Sequence, residues 1–248
     1  MSGKKGIFSV KKAFNSDKIV KNYTQDVKNI GLWKSEKIIV EQYFNKDDSI
    51  LDIGCGAGRT TLNLYEMGYE KISGVDLSSR MIERAKELCN ELNYDIKFYV
   101  NNVMNLPFND CKFESAMFSY NGLMYIPKQK NRIKSLKEIK RVLKPKGYFW
   151  FTAHDRRGIN GEYNDIWKKR KETWRNEDDE RLYEFGDMIV DMEGKPTFMH
   201  FPKRKEVVET IKKSGFKLVE DLPRSKIHNE TKKIEENIAD CRFYILKK

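Results

Sequence analysis

Apolar and polar positions along the chain follow two periods in turn, one suited to buried strands and one to amphipathic helices. Ile50-Leu51-Asp52-Ile53 is a short apolar, β-branched run ended by glycines at 54, 56 and 58, and Thr60 to Tyr65 opens a helix that Gly68 stops. Lys71 to Asp76 reads as a second strand. Ser78 then caps a helix in which Met81, Ile82, Ala85, Leu88, Cys89 and Leu92 recur at helical spacing. Ile96 to Val100 and the run from Phe113 to Phe118 read as further strands. Ile133, Leu136, Ile139 and Leu143 form one helix face, Lys144-Pro145-Lys146-Gly147 breaks it, and Tyr148 to His154 makes a buried strand. Towards the end, Val207, Val208 and Ile211 mark a helix stopped at Gly215, with strands at Phe216 to Glu220 and Arg242 to Leu246. Strands alternating with helices predict an α/β fold around a mostly parallel sheet.

The glycine loop carries the chemistry. Without a Cβ, glycine at every second position lets the chain turn tightly and lets a ligand lie against bare N–H groups. A dinucleotide fingerprint needs a third glycine at position 59, and Arg59 stands there. The pattern present is D-x-G-x-G-x-G from Asp52 to Gly58. Asp76 follows about 20 residues later at a strand end, where a carboxylate accepts hydrogen bonds from ribose hydroxyls.

These residues resemble the class I S-adenosylmethionine-dependent methyltransferases. The resemblance implies a Rossmann-like, doubly wound, mostly parallel seven-stranded sheet with an antiparallel last strand. It also implies S-adenosyl-L-methionine as cofactor and S-adenosyl-L-homocysteine as product. Asp52, Gly54, Cys55, Gly56 and Gly58 then surround the methionine part, and Asp76 with Leu77 the ribose. Asn102 replaces the aspartate that accepts from the adenine amine in the family, with Val103 and Met104 flanking the ring. Met81 is either a cofactor contact or plain core. Ser119 and Tyr120 end the fourth strand, which faces the reactive methyl; Ser119-Tyr120-Asn121-Gly122 is not the Asn-Pro-Pro-aromatic tetrad of nucleic-acid amino-methyltransferases.

Two regions fall outside this frame. Residues 1–41 carry Tyr23 and Trp33 in a polar context and read as a helical cap over the site, where those two rings either touch the cofactor or hold the cap to the core. Residues 155–200 are too long for a plain connection and read as an inserted lid with a hairpin from Asp187 to Met199. One domain over 1–248 is expected, with core segments 42–154 and 201–248.

The net charge of +11 invites a nucleic-acid reading. Lysines are spread along the whole chain among Glu and Asp, however, which is the usual solvated face of helices. The densest cluster, Lys168 to Lys171 between Trp167 and Trp174, lies in the lid. Four scattered cysteines without a C-x-x-C pair suggest no disulfide framework and no metal site. With neither a bilayer-length apolar stretch nor a secretory leader, the expected location is the cytoplasm. The expected activity is methyl transfer to an N, O or S nucleophile of a small molecule; an RNA methyltransferase and a cofactor-binding protein without transfer are the alternatives. A sulfonium methyl needs mainly an aligned nucleophile and exclusion of water. His154, at a central strand end, is the candidate base, and Tyr120 the candidate for positioning substrate.

Overall fold

The computed structural model describes residues 4–174, 179–237 and 239–248; the first three residues of the expected cap and residues 175–178 of the expected lid lie outside it. Three helices, α1 (Lys4–Phe14), α2 (Asp17–Asn29) and α3 (Lys34–Tyr43), precede the sheet. Strand β1 (Ile50–Ile53), α4 (Arg59–Glu66), β2 (Ile72–Asp76), α5 (Ser79–Glu91) and β3 (Lys97–Val100) form the first half. Strand β4 (Phe113–Phe118), a 3-10 turn η1 (Gly122–Tyr125), α6 (Gln129–Val142) and β5 (Leu143–Ala153) follow. Then come α7 (Asn164–Thr173), the hairpin β6 (Asp187–Met192) and β7 (Lys195–His200), α8 (Arg204–Ser214), β8 (Lys217–Pro223), α9 (Arg224–Ile227), α10 (Lys232–Asn237) and β9 (Arg242–Lys247).

Seven strands form one sheet in the order β3-β2-β1-β4-β5-β9-β8. Strands β1 to β5 pair in parallel, and β9 runs antiparallel to both of its neighbours. Order reverses between β1 and β4, so the carboxyl ends of those two strands open a crevice. Successive side chains point to opposite faces, which divides the core in two. Ile50, Trp150, Phe243 and Ile245 pack with α2 to α5 on one face. Leu51, Phe149, Phe151, Tyr244 and Leu246 pack with α6 and α8 on the other.

The Pro-Gly segment does not separate helix from strand as expected. Helix α6 ends at Val142, Leu143 already pairs with Phe113, and the register shifts before Ser115 meets Tyr148. The break is therefore a bulge inside β5. Gly147 is required there, since a Cβ would stand 2.5 Å from the Glu114 carbonyl oxygen.

Residues 187–200 form the expected hairpin, one residue longer, turned through Glu193 and Gly194 with φ of 54° and 78°. Rather than covering the crevice, it lies along α1. The Phe198 N–H donates to Ser9 Oγ at 3.4 Å, and Glu193 meets Asn22 and Lys18 at 3.0 and 2.7 Å. Among the described residues no helix is long and apolar enough to cross a membrane.

Candidate active site

A cavity opens at the crevice between β1 and β4. Its floor is the glycine loop. Gly54, Gly56 and Gly58 take φ of 63°, 56° and 95°, the left-handed region that L side chains avoid. At Gly54 space is also excluded, because a Cβ would sit 2.5 Å from the Phe118 ring. The loop is tied to β2 by the Gly54 and Cys55 N–H groups, which donate to Val75 O at 2.7 and 3.2 Å.

Asp76 ends β2 on the cavity wall. Its Oδ2 accepts from Gly56 N at 3.0 Å and its Oδ1 from Ser78 N at 2.7 Å, so the carboxylate is aimed while each oxygen keeps a lone pair for a hydroxyl. Burial raises its pKa, and these N–H groups oppose the rise. Asp52 lies behind the loop and off the wall. Thr60 and Thr61 both donate to its Oδ2, while its buried Oδ1 has no hydrogen-bond partner among the described residues. Desolvation pushes its pKa up to about 7 against those two hydroxyls.

Opposite stands an aromatic wall. Tyr23, Tyr120 and Tyr125 line the cavity with Phe14 among them: Phe14 meets Tyr23 edge-on at 5.7 Å and Tyr125 at 5.2 Å, and Tyr23 meets Tyr120 at 6.1 Å. Burial raises all three phenol pKa values, those of Tyr120 and Tyr125 to about 12, so at neutral pH each keeps its proton to donate.

Residues 50–147 match the family model described as a methyltransferase domain. The chain is 34% identical over 134 residues to the ubiquinone/menaquinone biosynthesis C-methyltransferase of Rickettsia prowazekii, a match covering 50% of this chain and 52% of that enzyme. An uncharacterized Methanocaldococcus jannaschii protein is 29% identical over 203 residues, 82% of this chain and 75% of that one. A crystal structure of an S-adenosylmethionine-dependent methyltransferase from Methanosarcina mazei aligns with a TM-score of 0.68 at 23% identity, covering 88% of this chain and 98% of that one. Residues 50–147 are a methyltransferase domain, and the chain around them has the fold of the Methanosarcina mazei S-adenosylmethionine-dependent methyltransferase.

The cofactor is S-adenosylmethionine, and the residues present fit it. The glycine N–H groups expected to face the ligand are spent instead on Val75 O, Asp76 Oδ2 and Cys55 O, so the loop offers close approach without free donors, and the two-oxygen acceptor Asp76 suits the ribose hydroxyls. Asp52, behind the loop with Oδ1 unpartnered, acts on a cationic amine through its field and not by contact.

Of the residues singled out from the sequence, this methyltransferase brings Tyr23, Gly54, Gly56, Asp76, Leu77, Asn102, Val103, Met104, Ser119 and Tyr120 to the cavity wall. Trp33, Asp52, Cys55, Gly58 and Met81 do not line it. Met81 and Trp33 are wholly buried core residues, and Cys55 fills space against Gly74. Asn102 is turned inward, its Oδ1 accepting from Met104 N at 2.9 Å, so one of the two lone pairs expected for adenine is taken locally.

His154 is not in the cavity. Its Nδ1 lies 3.1 Å from Asp240 O, a bare acceptor, so Nδ1 carries the hydrogen; Nε2 lies 3.0 Å from Asn121 Nδ2 and accepts. Both ring nitrogens are spent on structure, and burial lowers the pKa. No base role remains for it.

Two features go beyond the sequence reading. Of the helical cap expected over residues 1–41, Ile7, Val10, Lys11 and Phe14 of α1 line the cavity, and the spacing of Ile7, Val10 and Phe14 is the signal that marks that face. Arg59, read only as a missing glycine, reaches from the loop into the cap. Its guanidinium bonds Glu36 twice at 2.7 and 2.6 Å, donates to Gly31 O at 2.7 Å and Ser119 Oγ at 3.3 Å, and lies 4.6 Å from the Tyr120 ring centroid. Ser119 also donates to Glu36, which leaves little of its hydroxyl for a ligand. Burial alone lowers the Arg59 pKa, and Glu36 more than reverses that.

Proposed function

We propose that the protein methylates an N, O or S nucleophile of a small molecule in the cytoplasm. When bound, S-adenosylmethionine supplies a sulfonium methyl open to in-line displacement. The observation that supports a small acceptor is the enclosure of the cavity by α1 and by Phe14, Tyr23, Tyr120 and Tyr125, an apolar wall with hydroxyl donors. Such a wall excludes water from the reacting atoms and fits a flat, largely apolar molecule. Tyr120 is the positioning group of this reading, its protonated hydroxyl donating to a heteroatom of the acceptor. With His154 occupied elsewhere, the acceptor's own acidity governs its activation.

An RNA substrate is less well supported. No residue of the basic helix α7 lines the cavity, and Arg170 is turned to the Asp187 carbonyl at 3.1 Å. Incubating the purified chain with S-adenosylmethionine and fractionated metabolites, followed by mass spectrometry, tests the proposal: S-adenosylhomocysteine should form together with one product 14 mass units heavier than its precursor. Turnover only with RNA overturns it, and so does binding without turnover on any fraction.

A further inference from the structure

On the far side of η1 lies a second cavity, of about 820 Å³, that the cofactor does not explain. Gly122 and Tyr125 face the first cavity, while Leu123 and Met124 face the second. Its apolar walls come from those two residues, Leu136 of α6, Phe151 of β5 and Val207 of α8. Its polar side comes from Gln129 and Arg132 of α6, Glu206 and Thr210 of α8, Glu184, and His200 at the end of the hairpin, which Asp187 holds from behind. Asp187, fully buried, accepts from Tyr183 N and Glu184 N on Oδ2 and from His200 Nδ1 on Oδ1, at 2.7, 3.0 and 2.7 Å. A carboxylate only accepts, so Nδ1 carries the hydrogen, and in the neutral ring Nε2 holds a lone pair.

His200 is 3% exposed and lines this cavity. Among the described residues its Nε2 has no hydrogen-bond partner; Glu206 Oε2 lies 3.9 Å away. A buried acceptor aimed into a cavity calls for a donor. The charges around it agree. Of the charged side chains that line the cavity, two are carboxylates, Glu184 and Glu206, and one is a guanidinium, Arg132, which bonds Glu184; Arg156 bonds Glu206 at 2.7 Å from outside the lining. A metal ion fits poorly, because both Asp187 oxygens already accept N–H groups and a guanidinium sits on Glu184.

We infer that this cavity is a second small-molecule site, selective for a protonated amine on an apolar body. The ammonium donates to His200 Nε2 beside the Glu206 carboxylate, and the body packs against Leu123, Met124, Phe151 and Val207. The inference does not depend on the identity of the methyl acceptor.

Titration of the methyl-labelled full chain with phenethylamine, and separately with 3-phenylpropionate, tests it by nuclear magnetic resonance. Phenethylamine should shift the Leu123, Met124 and Val207 methyl signals saturably, at least about tenfold more tightly than the carboxylate. The Val103 and Met104 signals should stay in place, and S-adenosylhomocysteine should move those instead. His200→Phe should weaken the amine by about tenfold or more, with the same spectrum reporting whether the fold is kept. Equal binding of amine and carboxylate overturns the inference, as do shifts at Val103 and Met104 or no shift at all. The wild-type pair of ligands decides the matter even where the variant does not fold.

Discussion

The floor and the roof of the cofactor cavity are built in opposite ways. The floor, from Ile50 to Asp76, is assembled by neighbours in sequence: a strand, three left-handed glycines and a carboxylate 20 residues on. The roof is assembled by distant segments, with α1 held beneath a hairpin nearly 190 positions away; α3, which braces the loop through Glu36 without lining the cavity, is held at its start by Glu230. Glu230 accepts from Lys34 N and Ser35 N at 3.0 and 2.9 Å, an anion at a helix N-terminus. Local construction lies within the span of the methyltransferase-domain match, residues 50–147, whereas α1 and the hairpin that holds it lie outside that span. The Arg59–Glu36 pair is where the two meet.

The contrast can be attacked first at the floor. Gly54→Val places a branched side chain at φ +63° against the Phe118 ring, so cofactor binding should vanish in calorimetry and the melting temperature should fall. Retained binding would show that the loop tolerates a side chain and that its glycines do not define the site. Next comes the junction. Arg59→Met strands the Glu36 carboxylate, 0% exposed, and should cost roughly 3–5 kcal/mol in denaturant unfolding, more than the double variant Arg59→Met/Glu36→Gln. Simple additivity of the two single changes would break the link between floor and roof.

A subtler effect concerns Asp52. Its raised pKa means the free protein holds a proton there that the unfolded chain gives up, so stability is present at low pH and is lost as pH rises from about 4 towards 7. A cofactor amine near Oδ1 favours the ionised form. Cofactor binding should therefore release a fraction of a proton near pH 6.5, measurable by calorimetry in buffers of different ionisation enthalpy, and should tighten as pH rises to about 7. Proton uptake would place the amine elsewhere. The smallest effect is expected at the roof side of β5. His154→Asn removes partners of Asn121 and the Asp240 carbonyl, costing about 1–3 kcal/mol of stability, while methyl transfer keeps its rate constant and pH profile. A lost ionisation in that profile would restore His154 as a base.

The floor was legible because each signal is local. Gly54, Gly56 and Asp76 carry backbone conformations and acceptor chemistry that a few neighbouring residues specify. Strand periods, too, gave every element of the sheet, apart from the bulge at Gly147, whose cause is a carbonyl on another strand. What stayed hidden depends on tertiary distance. His154 sits at the right strand end for catalysis, and only the Asp240 carbonyl, 86 positions away, shows that its ring is spent. Arg59 breaks one pattern and completes another, with a partner on α3 that no spacing announces. The hairpin carried a clear turn signal but no indication that it would pack on α1 rather than on the crevice.

Titration of the purified chain with S-adenosylhomocysteine, alongside Asp76→Ala, tests the cofactor assignment most directly. Wild type should bind one equivalent, and the variant, without the acceptor that Gly56 N and Ser78 N hold in place, should bind roughly 30-fold or more weakly, about 2 kcal/mol or beyond. No heat from the wild type, or equal affinity in the two proteins, would contradict it.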